Sequence, residues 1–118
     1  MGLDISFSTR GSETIADARK HELLFELLAP LDDKRIGSSD DFIIDTADIE
    51  GLIDAVAARL EETGRVSAAM FPLRHDRLER APDPDTDEAE LLAVYLSLFE
   101  TLRRHAERDG FVIWSFSA

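Results

Sequence analysis

A chain of 118 residues suffices for one domain with a single real core, because a chain this size buries roughly two-thirds of its unfolded surface on folding. Its 25 acidic against 13 basic residues leave a formal charge of −12, which argues against a nucleic-acid partner, whose backbone calls for a basic footprint. Cysteine is absent, so a disulfide framework, a thiolate zinc site and a thiol nucleophile are excluded.

The first residues, Met1-Gly2-Leu3-Asp4-Ile5, lack the basic start and long apolar run of a secretory leader. No apolar run approaches the ~20 residues that cross a bilayer. The expectation is a soluble protein in the cytoplasm, with no membrane partner. Abundant Arg, Ala and Asp fit a bacterial chain from a GC-rich genome.

Leu3 to Ser8 alternates strictly, with Leu3, Ile5 and Phe7 on one face and Asp4, Ser6 and Ser8 on the other, the pattern of a half-buried strand. A polar turn around Gly11 comes next, with Ser12 placed to cap a helix from about Glu13 to Leu28. Leu23, Leu24, Leu27 and Leu28 form that helix's stripe, Phe25 falls off it, and Pro30 ends it. After a charged loop, Phe42-Ile43-Ile44 reads as a short strand. Asp45 or Thr46 then caps a helix whose Ile49, Leu52, Ile53, Val56, Ala57 and Leu60 recur on one face, with Gly64 as its stop.

Arg65 to Pro72 alternates at Val66, Ala68 and Met70 and reads as an edge strand; Leu73 to Asp85 reads as a polar surface excursion. A third helix is expected from Thr86 to Asp109, capped by Asp85 or Thr86, with Asp85 and Glu88 at capping-box spacing and Gly110 as stop. Its stripe of Leu91, Val94, Tyr95, Leu98, Phe99, Leu102 and Ala106 is widened by Leu92 and Leu96. Such a helix packs on more than a sheet: on a neighbouring helix as well, or in a homodimer through Leu92 and Leu96. The chain closes on Phe111 to Ser117, in which Val112, Trp114 and Phe116 share one face.

The order is β-α-β-α-(β)-α-β. Strict alternation of this kind favours a parallel sheet, but the polar face of the first strand does not, because buried parallel strands are apolar on both sides. The reading is therefore a single α+β domain: a mixed sheet of three or four strands with three helices mainly on one face. Pairing the first and last strands puts Trp114 at the centre of the core and collects Asp4, Ser6, Ser8, Ser115 and Ser117 on the opposite side, either solvated or a flat docking surface.

Two acidic groups stand out. Asp40, Asp41, Asp45, Asp48, Glu50 and Asp54 run without an intervening Lys or Arg, and Asp83, Asp85, Asp87, Glu88 and Glu90 form the second. Each lies at a helix start, where carboxylates cap free N–H groups and oppose the helix dipole, so capping alone accounts for much of the pattern. The functional alternative is a carboxylate face that attracts a basic protein, with Asp40, Asp41, Asp45, Asp48 and Glu50 as contact residues.

Metal motifs fail on inspection. Asp83-x-Asp85-x-Asp87 opens like a calcium loop, but Glu88 stands where glycine is required and Val94 where the bidentate glutamate belongs. His21-Glu22 opens like a zinc helix, but Phe25 stands where the second histidine belongs. Asp45 and Asp48 after a strand are a weak magnesium pattern. Arg10, Gly11 and Ser12, between a strand end and a helix start, are a candidate anion site. Arg74, Arg77 and Arg80 would form a small basic ridge if helical, and His105 reads as a partly buried structural histidine.

The sequence thus favours a non-enzymatic binder of a basic protein with no cofactor, in its most concrete form an immunity-type inhibitor of a basic toxin. A small phosphate- or divalent-metal-binding module built on the strand-end loops is the first alternative. A homodimeric structural protein is the second.

Overall fold

The computed structural model of the chain describes residues 3–31, 41–63 and 78–117. Among these residues four strands form one sheet in the order β2-β1-β4-β3, with three helices packed against one of its faces.

Strand β1, Asp4–Ser8, buries Ile5 and Phe7 completely and exposes Asp4 and Ser6, as its alternation requires. The chain then turns through Thr9 to Glu13. The Thr9 N–H donates to the Glu13 carbonyl at 2.8 Å, the Thr9 hydroxyl accepts from the Glu13 N–H at 3.1 Å, and the Ser12 N–H donates to the Thr9 carbonyl at 2.9 Å. Ser12 closes the turn at φ 69°, in the left-handed region.

Beyond the turn lies a strand, not the helix expected from Glu13. Strand β2, Thr14–Arg19, runs antiparallel to β1. Ala16 and Ala18 face the core and Asp17 and Arg19 face water, while a bulge opposite Phe7 and Ser8 takes up Ile15. The leucines that argued for a helix all lie further on. Alanine's helix preference at 16 and 18 is worth only tenths of a kcal/mol per residue, less than the ladder offered by β1. Lys20, also left-handed at φ 57°, turns the chain into helix α1, Glu22–Leu28, which buries Leu24 and Leu28 one turn apart. A short 3₁₀ turn, Ala29–Leu31, contains Pro30.

Strand β3, Asp41–Asp45, runs directly into helix α2, Thr46–Thr63, whose Ile49, Leu52, Val56 and Leu60 are buried. Helix α3, Glu88–Asp109, starts two residues later than expected. Asp87 is its cap, accepting from the Ala89 N–H at 3.0 Å, while the Thr86 N–H donates to the Asp83 carbonyl in the preceding turn. Gly110 ends it at φ 94°, a conformation that strains any residue with a Cβ.

Leu92 and Leu96 are 0 % and 7 % exposed within the single chain. The width of the α3 stripe is explained by α2, which packs along α3 extensively. Arg59 near the end of α2 meets Glu88 at the start of α3 at 2.6 Å, so the two helices are antiparallel.

Strand β4, Phe111–Ser117, lies in the middle of the sheet, antiparallel to both β1 and β3. The expected pairing of first and last strands is present, with Ile5 opposite Phe116 and Phe7 opposite Trp114. The four described strands are antiparallel throughout rather than mixed. The chain between β3 and β4, which includes α2 and α3, returns in the opposite sense. An antiparallel sheet can leave one face to water, as the alternation in β1 demands.

The expected edge strand over Arg65 to Pro72, the stop at Gly64, and Arg74, His75 and Arg77 lie outside the described residues. The described part of the supposed surface excursion corrects that expectation, because Leu78 is fully buried in the core.

Trp114 is the largest fully buried side chain among the described residues. It stacks on Phe42 at 4.7 Å between ring centroids, and Phe25 and Phe116 complete an aromatic cluster at one end of the sheet. Phe25, off its helix's leucine stripe, is used here. The Trp114 indole N–H has no hydrogen-bond partner among the described residues.

Candidate functional site

The candidate acids divide by what their side chains do. At the β3–α2 junction, the Asp45 carboxylate accepts from the Asp48 N–H at 2.9 Å and the Asp48 carboxylate accepts from the Asp45 N–H at 3.2 Å. This is a reciprocal capping box with aspartates in both places, the helix-start role weighed from sequence. Glu50 and Asp54 are exposed on α2, and Asp41 is half-buried at the start of β3. Asp40 lies outside the described residues.

The second group, Asp83 to Glu90, has every acid exposed, with Asp87 capping α3 and Glu88 paired to Arg59. Because α2 and α3 are antiparallel, it sits beside the C-terminal half of α2. The first group is at the other end, roughly 20 Å away along the 1.5 Å-per-residue rise from Thr46 to Arg59. The capping acids Asp45 and Asp48 are therefore at the opposite end of α2 from Asp87 and Glu88, with Glu50 and Asp54 between them along the helix.

The sheet face opposite the helices brings other residues together. Across the four strands, one row is Arg19, Asp4 and Ser117; the next is Asp17, Ser6, Ser115 and Asp41; the third is Thr14, Ser8, Ile113 and Ile43; the last pairs Phe111 with Asp45. All of these residues are exposed or half-exposed. Ser6 donates to Asp17 at 2.5 Å, and Arg19 lies 3.7 Å from Asp4. Glu79 joins Asp4, Ser6, Asp17 and Arg19 around an open cleft of about 400 Å³. Sequence alternation gave Asp4, Ser6, Ser8, Ser115 and Ser117. The hairpin partner β2 and the Ile43–Ile113 pair were missed, because β2 was read as helix and β3 was not placed beside β4.

Arg10, Gly11 and Ser12 occupy a hairpin turn, so the helix start that motivated an anion site is absent. The Arg10 guanidinium lies 5.6 Å from the centre of the Phe111 ring and donates to the Asp109 carbonyl at 3.4 Å. Beside it Arg108 grips both Asp109 carboxylate oxygens at 3.0 Å. That bond holds Asp109 below the usual carboxylate range and Arg108 above its ordinary value. This corner is an internally paired charge cluster.

A buried polar pair was also missed. His21 is 1 % exposed; its Nδ1 lies 2.7 Å from the Tyr95 hydroxyl and its Nε2 3.0 Å from the Arg80 carbonyl. A carbonyl only accepts, so in the neutral ring Nε2 carries the proton and Nδ1 accepts from Tyr95. Burial pushes the Tyr95 phenol well above its ordinary pKa. The sequence held a signal for this, since His21, Leu24 and Leu28 share one helical face. His105 is half-exposed beside Arg108, close to its expected role.

Among the described residues, no three His, Cys, Asp or Glu side chains converge as a metal site. No described helix is long and apolar enough to cross a membrane. Comparison of the chain with family models, curated proteins and solved structures gives no match.

Proposed function

We propose that the chain acts without catalysis, by binding a basic protein through its carboxylate-rich surface. One concrete form is an immunity-type inhibitor that masks the basic active site of a toxin. The observation that carries this reading is the state of the cations. Arg19, Arg59, Arg103 and Arg108 each face a carboxylate of the same chain, and Arg10 faces the Asp109 carbonyl. Each ion pair cancels one acid against one base, so the excess of acids behind the net charge of −12 remains, and Glu50, Asp54, Asp83 and Asp85 are all exposed. Such a field steers a basic target and accelerates encounter.

Calorimetric titration tests the reading with a basic nuclease domain encoded beside the gene, and with unrelated basic nucleases as controls. Binding should be tight for one target and weaken with salt. Thermal stabilisation by nucleotide or divalent metal, with no binding of any basic protein, would sink the reading in favour of a ligand-binding module.

A further inference from the structure

Resting on that reading, we infer that the partner docks on the open face of the sheet, not on the acidic helix starts. The partner presents arginine or lysine around an aliphatic side chain.

Three observations converge. First, the helix-start acids are at least partly committed: Asp45, Asp48 and Asp87 accept from backbone N–H groups that would otherwise be orphaned. Second, the open face has the anatomy of a contact surface. Ile43 and Ile113 are direct cross-strand partners, half-exposed and flanked by the small Ser8 and Ser115. Interfaces concentrate their energy in an apolar centre that a polar rim seals from water. Third, the rim is acidic. Among the described residues, Asp4, Asp17, Asp41 and Asp45 stand on this face against two guanidiniums, Arg19 and, over Phe111, Arg10, and the cleft at its β1–β2 side adds Glu79. Asp4 and Asp17 are met by the side chains of Arg19 and Ser6, which a partner's cation can displace. That cleft admits a cationic side chain, and the isoleucine pair admits an aliphatic one. Serines at 6, 8, 115 and 117 keep the surface flat enough for a partner's backbone to approach.

The test titrates the full chain, at low salt, with a short peptide alternating arginine and leucine and with an oligo-arginine of equal charge. Amide NMR shifts map the contact. The alternating peptide should move Ser6, Ile43, Ile113 and Ser115. Ser6→Arg, an exposed position, should weaken both peptides about tenfold. Ile113→Ser should weaken the alternating peptide more than oligo-arginine.

Control variants Glu50→Gln and Asp54→Asn, on the exposed side of α2, lower the general attraction for both peptides slightly and should leave unchanged which residues shift. Shifts confined to the helix starts, lost in the controls and kept in Ser6→Arg, would overturn this placement while the acidic-binder reading stands. Failure of both peptides to bind would overturn the reading itself. Self-association abolished by Ser6→Arg would make the occupant a second copy and overturn the basic partner.

Discussion

The two faces of the sheet are built from alternate residues of the same strands and obey different rules. On the helix side Ile5, Phe7, Phe42, Ile44, Val112 and Trp114 are at most 1 % exposed, and none is charged. On the other side serine, aspartate, isoleucine and arginine mix, and none is fully buried. Packing dictates the first face almost residue by residue, because an interior at crystal-like density tolerates little change in volume. The second face is free of that constraint, so its composition carries information that the fold does not require. A half-exposed Ile43–Ile113 pair, with Asp41 and Asp45 on either side of Ile43, is such a surplus.

The sharpest way to break this contrast is to cut one residue on each face of β4. Trp114→Ala removes the largest core side chain and should cost about 3–5 kcal/mol in chemical denaturation. Ser115→Ala, its immediate neighbour, should change stability by less than about 0.5 kcal/mol. Equal effects would mean that the open face is packed after all.

Tyr95 sharpens the contrast next, as a polar group admitted to the buried side. Tyr95→Phe takes the hydroxyl donor from His21 Nδ1 and should cost about 1–3 kcal/mol. The chain has one tyrosine, so the phenolate ultraviolet band reads it alone. Its folded pKa is raised, so the folded state holds the proton more tightly. The stabilisation is complete below the unfolded value of about 10 and is lost as pH climbs above it. Phenolate should appear only with unfolding. Ionisation at an ordinary pH with the fold intact would contradict the burial.

The helix starts lie between the two regimes. Asp45→Ala opens the capping box and should destabilise by about 0.5–2 kcal/mol, whereas Asp54→Ala on the same helix should be close to neutral. If instead both are neutral in stability and both weaken partner binding, the first acidic group acts as a contact surface, not as a cap.

The same contrast decides how much was legible in the sequence. Periodicity found β1, β3, α2, α3 and β4, and put Trp114 at the centre of the core, because each carries an apolar pattern with a punctuating Asp or Gly. It failed at β2. Thr14 to Arg19 has alanine at its inward positions, and a bulge at Ile15 breaks the alternation, so only the neighbouring strand reveals it. It failed at Leu78 because a single leucine among charges has no period. The open face was half legible: alternation gives which residues point away from the core, but only strand order puts Ile43 beside Ile113 and Asp17 beside Ser6.

That isoleucine pair sets the smallest and most discriminating test. A cross-strand pair of this kind contributes about 0.2–1 kcal/mol when it is merely two neighbours on a wet surface. A double-mutant cycle of Ile43→Thr and Ile113→Thr keeps β-branching, and with it strand preference, so it isolates the contact. Coupling within that range identifies an ordinary exposed pair whose apolar area is available to a partner. Coupling well above it would mean that the pair is sealed by other parts of the chain, and the open face would lose its apolar centre as a docking surface.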